Sequence, residues 1–539
     1  MIVLLVAFSL IIIACLFLNK LSGKIGVPAL LLFLLLGMGV RLAGTGMGEN
    51  IYWVVRDICT VALIFIMFYG GFGTRWSSAK PVARDSALLA TVGVFLTAAL
   101  TGLFCHYALK WEWTESFLMG AVISSIDAAS VFSILKGKKL GLKYNTAPLI
   151  ELESGSNDAM AYMLTAVMMS VLSGTATVGN VIWFVFAQLV FGVAGGLLIG
   201  VGAMYVLRRL RFSSSGNLTL FILAVVVVSY ALPSWVGGNG YLSAYITGII
   251  LGNNDFPDRK PMINFFDGIT GLMQIFIFFM LGLLAVPSAL LKAVGPAILI
   301  YLFLSFVARP IAVSSILGPA GKFRKYPLRQ TAFVSFVGLR GAASIVFAVL
   351  ILTGTVQPRH DIFSIVFSIV LICIAVQGSM IPFAAKKLDM IDENSDVMRT
   401  FSDYNENAEL HFGHLVINNK SSWKDLSIKE MALPPGFIIA IIIRDGEEII
   451  PDGKTVIREG DEVVFCARSY QENNDMILYE HPIPSNGKWE GHILRDYPIR
   501  EDSIVLMIRR GDEAIIPKGH TLIEDGDVLV IMRRQQKKA

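Results

Sequence analysis

The chain has 539 residues, 55% hydrophobic and 16% charged, with a formal net charge of +4. A soluble protein of this size would carry about 25% charged residues, so a single soluble globule is excluded. The charge is also unevenly spread. Residues 1–387 are apolar runs with short polar punctuation and 388–539 read as soluble sequence, so a membrane unit comes first and a soluble unit second.

The chain opens on an apolar run through Leu10 to Cys15. No basic residue precedes it and a second apolar run follows at once, so it reads as a first transmembrane helix and not as a lipoprotein signal. About twenty apolar residues span a bilayer, fewer inside a bundle. Thirteen intervals qualify: 2–19, 27–44, 58–73, 84–107, 114–136, 145–172, 179–207, 217–233, 239–253, 264–286, 290–316, 328–354 and 361–386. Cys15, Cys59, Cys105, Cys373 and Cys466 are scattered, without metal spacing, and read as core or lipid-facing thiols.

The loops between these intervals alternate in charge. One set is rich in cations, among them Lys20, Lys24, Arg75, Lys80, Lys136 to Lys143, Arg208, Arg209, Arg211, Arg259, Lys260, Lys322 to Arg329, Lys386 and Lys387. The other holds only Arg41, Arg56, Lys110, Lys292 and Arg359. The basic set belongs on the cytoplasmic side. The reading is a multi-pass protein of the cytoplasmic (inner) membrane, N-terminus outside and C-terminal tail in the cytosol.

Ionisable groups inside spans are expensive and therefore point to function. The fifth interval carries Ser124-Ser125-Ile126-Asp127, the sixth Glu151-Leu-Glu153-Ser154-Gly-Ser-Asn157-Asp158, and the twelfth Gly338-Leu-Arg340-Gly341. Glu153 and Asn157 share a helix face, as do Ser154 and Asp158, which puts a hydroxyl beside a carboxylate. Glycine and serine around Asp127 and Arg340 mark helices broken near the midplane, at matching places in the two halves, as in the ion sites of secondary transporters. Asp158 is the residue most strongly read as functional. Asp127 either assists it or caps a half-helix. Asn157 can brace unwound backbone without adding charge. Glu153 and Arg340 read as a buried structural pair, and Arg309, beside Pro310, as a snorkelling anchor. Glu151 and Ile126 remain candidates for the ion path.

These three motifs, in this order, resemble the monovalent cation:proton antiporter-1 family, and most of all its bacterial NhaP-type potassium/proton antiporters. The resemblance covers the whole chain. It implies about thirteen helices in two inverted repeats, two of them interrupted, and a homodimer. It implies electroneutral exchange, because members with Asn-Asp at this place carry one acid fewer than electrogenic Asp-Asp relatives. On that pattern Asp158 carries the ion, Asp127 and Ser154 assist, and Glu153 pairs with Arg340. Ile126 stands where many relatives have threonine, which is harmless if only the backbone carbonyl touches the ion and bears on selectivity if the hydroxyl does.

Residues 388–411 read as a polar linker. Beyond it, Phe437 to Asp461 repeats as Ile504 to Asp527, each copy reading strand, glycine turn, strand, Gly-Asp turn, strand. Small α+β modules over 412–470 and 485–535 follow, and they resemble the TrkA-C (RCK-C) regulatory domain. Such modules take small ligands, often nucleotides such as cyclic di-AMP; the alternative is a dimerisation domain with no ligand. The glycines from Gly192 to Gly202 read as helix-packing sites, so no NAD-binding partner domain is expected in this chain.

The expected function is exchange of K⁺, with Na⁺ or Rb⁺ as further candidates, for H⁺. A Na⁺/H⁺ antiporter is the alternative within the class, and a tail-gated cation channel the alternative outside it. The channel lacks a Thr-Val-Gly-Tyr-Gly filter, and a pump would need a phosphate-binding loop that the sequence lacks. The expectation is a transporter and not an enzyme, with no cofactor beyond a tail nucleotide, no metal beyond the transported cation, lipid as surroundings and no nucleic-acid partner.

Overall fold

The computed structural model describes residues 2–25, 28–43, 51–138, 140–209, 215–254, 256, 259–318, 326–354 and 358–392, and then 410–419, 421, 423–431, 433, 437–444, 447–468, 476–483, 489, 491–497, 503–510, 513–515, 517 and 519–534. Linker residues 393–409, the turn glycines Gly446 and Gly511, and the loop cations Lys139, Arg211, Lys322, Arg324 and Lys325 lie outside these, as does the side chain of Cys466. The chain divides into two compact units, Met1–Met398 and Arg399–Ala539.

The first unit is helical. Its elements are α1 (Ile2–Ile25), α2 (Ala29–Leu42), α3 (Ile51–Gly73), α4 (Trp76–Leu109), α5 (Trp113–Ile123), α6 (Ala128–Gly137), α7 (Thr146–Leu172), α8 (Val178–Arg209), α9 (Ser215–Trp235), α10 (Gly240–Gly252), α11 (Arg259–Leu284), α12 (Pro287–Leu317), α13 (Leu328–Phe336), α14 (Ala342–Leu352) and α15 (Ile362–Lys387). Among the described residues, eight stretches are long and apolar enough to cross a membrane, and α2, α10 and α14 are shorter apolar helices. The unit spans a membrane, and large apolar side chains such as Phe17, Trp183, Leu198 and Trp235 lie on its outside.

Both interruptions expected from sequence are present. α5 and α6 are halves of one broken helix, and α13 and α14 of another. Three further helices widen by a π-turn, at Leu89–Gly93, Leu304–Ala308 and Cys373–Gly378. Such turns are rare and gather at functional sites; two of these deliver side chains to the breaks, as described below. The glycines of α8 pack as expected: a Cβ on Gly196 or Gly200 would meet Ile246 or Ile250 of α10, whereas Gly202 faces open space. Cys15, Cys59, Cys105 and Cys373 are free and buried.

The second unit contains two four-stranded antiparallel sheets of identical order. The first is β1 (Leu410–Val416), β4 (Glu462–Arg468), β2 (Phe437–Arg444), β3 (Glu447–Ile449); the second is β5 (Met476–Pro482), β8 (Val528–Arg534), β6 (Ser503–Arg510), β7 (Glu513–Ile515). Each has a bulge at the same place, between Ile439 and Ile441 and between Val505 and Met507. The Gly-Asp turns put Gly460 and Gly526 at φ of +87° and +76°, a backbone that glycine adopts without steric cost. The aspartates that follow are buried and locked: Asp461 accepts from Arg444 Nε and Nη2 at 2.8 Å each, and Asp527 from Arg510 at 2.8 and 2.9 Å. The repeat in the sequence is thus a repeat of strands, bulge and ion pair.

Candidate functional site

Breaking a helix in a membrane leaves backbone groups that no lipid can satisfy. The two breaks satisfy each other. Asp127 N donates to Leu339 O at 2.8 Å, so the extended stretches cross there. At the C-terminus of α5, where the helix dipole is negative, Arg340 Nη1 donates to Ser124 O and Ser125 O, both at 2.7 Å. At the N-terminus of α6, Asp127 Oδ1 accepts from Ser130 N at 3.1 Å and Oδ2 from Ser130 Oγ at 2.5 Å, a helix cap. The π-turn of α15 serves the second break: Gln377 Nε2 donates to Phe336 O, and Cys373 Sγ accepts from Arg340 N at 3.4 Å.

The glycines of the Gly338-Leu-Arg-Gly341 run are required by close approach. A Cβ on Gly341 would lie 2.1 Å from Asp127 Oδ2, and one on Gly338 2.9 Å from Arg309 Nε.

α7 lies against this crossing. Ser154 Oγ accepts from Ala128 N and donates to Ile126 O, both at 3.0 Å, so the serine splints the break and the Ile126 carbonyl is its acceptor. Asp158, one turn on, accepts from Ser125 Oγ. Asp158 is buried, yet it borders a cavity of about 40 Å³ together with Ile126, Asp127, Leu63 of α3, and Gln274 and Phe278 of α11. Asp158, Asp127, Ser154 and Ile126 are therefore brought together.

Three expectations are corrected. Glu153 does not pair with Arg340. Its partner is Arg309, with Nη1 at 2.7 Å from Oε1 and Nη2 donating to Oε2 at 3.0 Å, both side chains buried. Arg340 Nη1 instead serves the carbonyls of Ser124 and Ser125 just past α5, a demand invisible until the break is built. Arg309 is consequently no snorkelling anchor: it is 3% exposed, and it follows the π-turn Leu304–Ala308 of α12, which places it at the start of a new helical stretch. Asn157 is buried, and its amide has no hydrogen-bond partner among the described residues. The bracing expected of it falls to Ser154 and Arg340. Glu151 stands apart from the cavity, half-buried, accepting from Thr74 Oγ1 at 3.2 Å.

Sequence reasoning missed Ser125 and Gln274 as site residues. Ser125 was in view inside the motif, with no sign that it would reach Asp158. Gln274 is an amide within the apolar run of α11, and that is its only signal.

A family model described as sodium/hydrogen exchanger, transmembrane, matches residues 8–387, and one described as TrkA-C domain matches residues 414–471 and 478–535. The K(+)/H(+) antiporter NhaP of Alkalimonas amylolytica is 34% identical over 451 residues, 83% of this chain and 78% of that protein. The K(+)/H(+) antiporter NhaP2 of Shewanella baltica is 31% identical over 469 residues, 85% and 80% of the two chains. Among solved structures, the sodium proton antiporter MjNhaP1 from Methanocaldococcus jannaschii superposes with a TM-score of 0.62 at 22% identity, covering 71% of this chain and 98% of that one, a likeness of fold. With its two crossed helix breaks, its buried acids and these matches over most of its length, the chain belongs to the sodium/hydrogen exchanger family.

Proposed function

We propose that this protein exchanges one K⁺ for one H⁺ across the cytoplasmic membrane, acting as a secondary transporter and not as an enzyme. The observation that carries this is the position of Asp158, a buried carboxylate whose hydrogen bond comes from one serine and which borders a small cavity. A lone carboxylate in a low-dielectric site must be neutralised by a proton or a cation, and competition between the two for one group is exchange. Asp127 is committed to capping α6, which leaves a single exchangeable acid and supports electroneutral stoichiometry. The Ile126 carbonyl and Ser125 hydroxyl are neutral oxygens suited to a monovalent ion. K⁺ is preferred over Na⁺ because the K(+)/H(+) antiporters NhaP and NhaP2 are similar over most of the chain.

The same reading includes thirteen crossings in two inverted repeats, an outside N-terminus, a cytosolic tail and a homodimer. The tail modules act as a regulator that binds a small cytosolic ligand, with a nucleotide of the cyclic di-AMP kind as the first candidate. Proton flux in proteoliposomes under K⁺, Na⁺, Rb⁺ and Li⁺ gradients tests the transport reading. The expected result is a K⁺-driven flux that does not depend on membrane potential and disappears in Asp158→Asn. Cation-coupled flux in that variant, or flux driven by Na⁺ alone, would overturn it.

A further inference from the structure

The tail leaves the membrane unit through residues 389–392, and this short segment does not simply trail away. It pairs with the loop between α6 and α7. Lys143 N donates to Met390 O at 2.9 Å and Asp392 N to Gly141 O at 3.1 Å, flanking an antiparallel bridge between Leu142 and Ile391. Asp389 bonds Lys143 Nζ at 2.8 Å and Arg329 Nη1 at 3.1 Å, and Met390 is fully buried. Gln330 Nε2 also donates to Tyr144 O at 3.1 Å. Three non-glycine residues here, Tyr144, Asn145 and Asp389, have left-handed φ of 60°, 53° and 52°. Such backbone persists only where its surroundings over-determine it.

The elements joined at this point are those of the ion site. The loop connects α6, which Asp127 caps, to α7, which carries Asp158. Arg329 and Gln330 belong to α13, the half-helix that leads into Leu339 and Arg340. One four-residue stretch therefore touches α13 and the loop that joins α6 to the carrier helix. Its ion pairs are exposed and individually weak, and the backbone pairing and the buried Met390 supply the rest of the hold.

We infer that segment 389–392 is a coupling clip through which the state of the tail is imposed on the ion site. This rests on the regulatory reading of the tail. While the clip is closed, a change in the tail that reaches residue 392 is passed to the α6–α7 loop. Once it is open, that change no longer reaches the loop. A ligand can shift the transporter only through such differential contact.

The experiment measures K⁺/H⁺ exchange by the full chain and by a chain ended at residue 395, at tail-side pH from about 6 to about 9, with and without cyclic di-AMP, where coupling between sites is typically worth about 5- to 150-fold. Asp389→Ala removes both ion pairs and fits a left-handed φ less readily than aspartate. We expect it to give the full chain the response profile of the shortened chain, with the peak rate retained. Adding Leu142→Cys and Ile391→Cys to Asp389→Ala supplies a rescue. The bridge is a non-hydrogen-bonded antiparallel pair, whose Cα atoms approach to about 4.5 Å, within disulfide reach. Oxidation should restore the full-length profile and reductant should abolish it again. If Asp389→Ala keeps the full-length profile while the shortened chain differs, the clip is overturned and tail regulation stands. If full and shortened chains respond alike, both are overturned.

Discussion

Arg309 and Glu153 are 156 positions apart in the chain and 2.7 Å apart in space, and neither side chain is more than 4% exposed. Removing one member of such a pair strands a buried charge at a cost of about 3–5 kcal/mol, whereas replacing both with apolar groups can be neutral or better. Arg309→Met and Glu153→Gln should each lower the melting temperature in detergent sharply. Arg309→Met with Glu153→Leu should recover most of the loss. Additive losses in the double variant would show that the two residues act separately.

Gly341 admits Asp127 where any side chain would exclude it, since a Cβ would stand 2.1 Å from Oδ2. Gly341→Ala must therefore push Asp127 off its cap on Ser130 and disturb the crossing at Leu339. Capping is worth about 1 kcal/mol, so the protein should still fold, but transport should fall by at least tenfold. Gly202→Ala, which meets nothing within 4 Å, is the matched control and should be silent. Normal transport by Gly341→Ala would mean that the crossing tolerates repacking.

The difference between these glycines shows what sequence can carry. The breaks were legible because glycine and serine interrupt apolar runs that also hold charges, and both appear where expected, at Ser124 to Asp127 and Val337 to Gly341. The tail repeat was legible because strand, turn and strand recur at fixed spacing, and β2–β3–β4 and β6–β7–β8 follow it. Pairings were another matter. Glu153 had two buried arginines to choose from, and the choice depends on which of them the half-helix carbonyls consume. That is a property of the assembled crossing and of a π-turn before Arg309, neither of which has a local signature. Asp461 and Asp527 were read as turn residues, although each closes an ion pair 17 positions back, at Arg444 and Arg510.

Gln274 lines the cavity from α11, together with Asp127 and Asp158. A neutral carbonyl oxygen there can help replace the hydration shell of a bare cation, and losing one such buried contact costs about 1–3 kcal/mol, or roughly 5- to 150-fold in affinity. Gln274→Leu should weaken half-maximal K⁺ activation by that factor while leaving the protein folded. Gln274→Glu places a second exchangeable acid in the cavity and should make exchange depend on membrane potential. Unchanged K⁺ dependence in the leucine variant would remove Gln274 from the site.

The tail should be acid-labile in a defined way. Hydrogen bonds from Arg444 hold the Asp461 carboxyl below the usual carboxylate range. Burial works against the ionised form of Asp527, but the hydrogen bonds from Arg510 and from Glu524 N prevail and hold it low as well. A carboxyl held low in the folded state contributes its full stabilisation above its unfolded value of about 3.9, and loses it as pH falls through the folded value. Hydrogen exchange in β4 and β8 of the full-length protein should therefore be independent of these groups at neutral pH and accelerate below about pH 4. The two copies should respond alike on substitution, because Asp461 and Asp527 are both fully buried and each is held by one arginine. Arg510→Ala leaves a buried carboxylate without its counter-ion and should open the second sheet even at neutral pH, while Asp527→Asn should be milder. Arg444→Ala should act on the first sheet alone, because the two sheets have separate buried cores. Equal acceleration in both sheets from either arginine variant would show that the modules unfold as one unit and not as two.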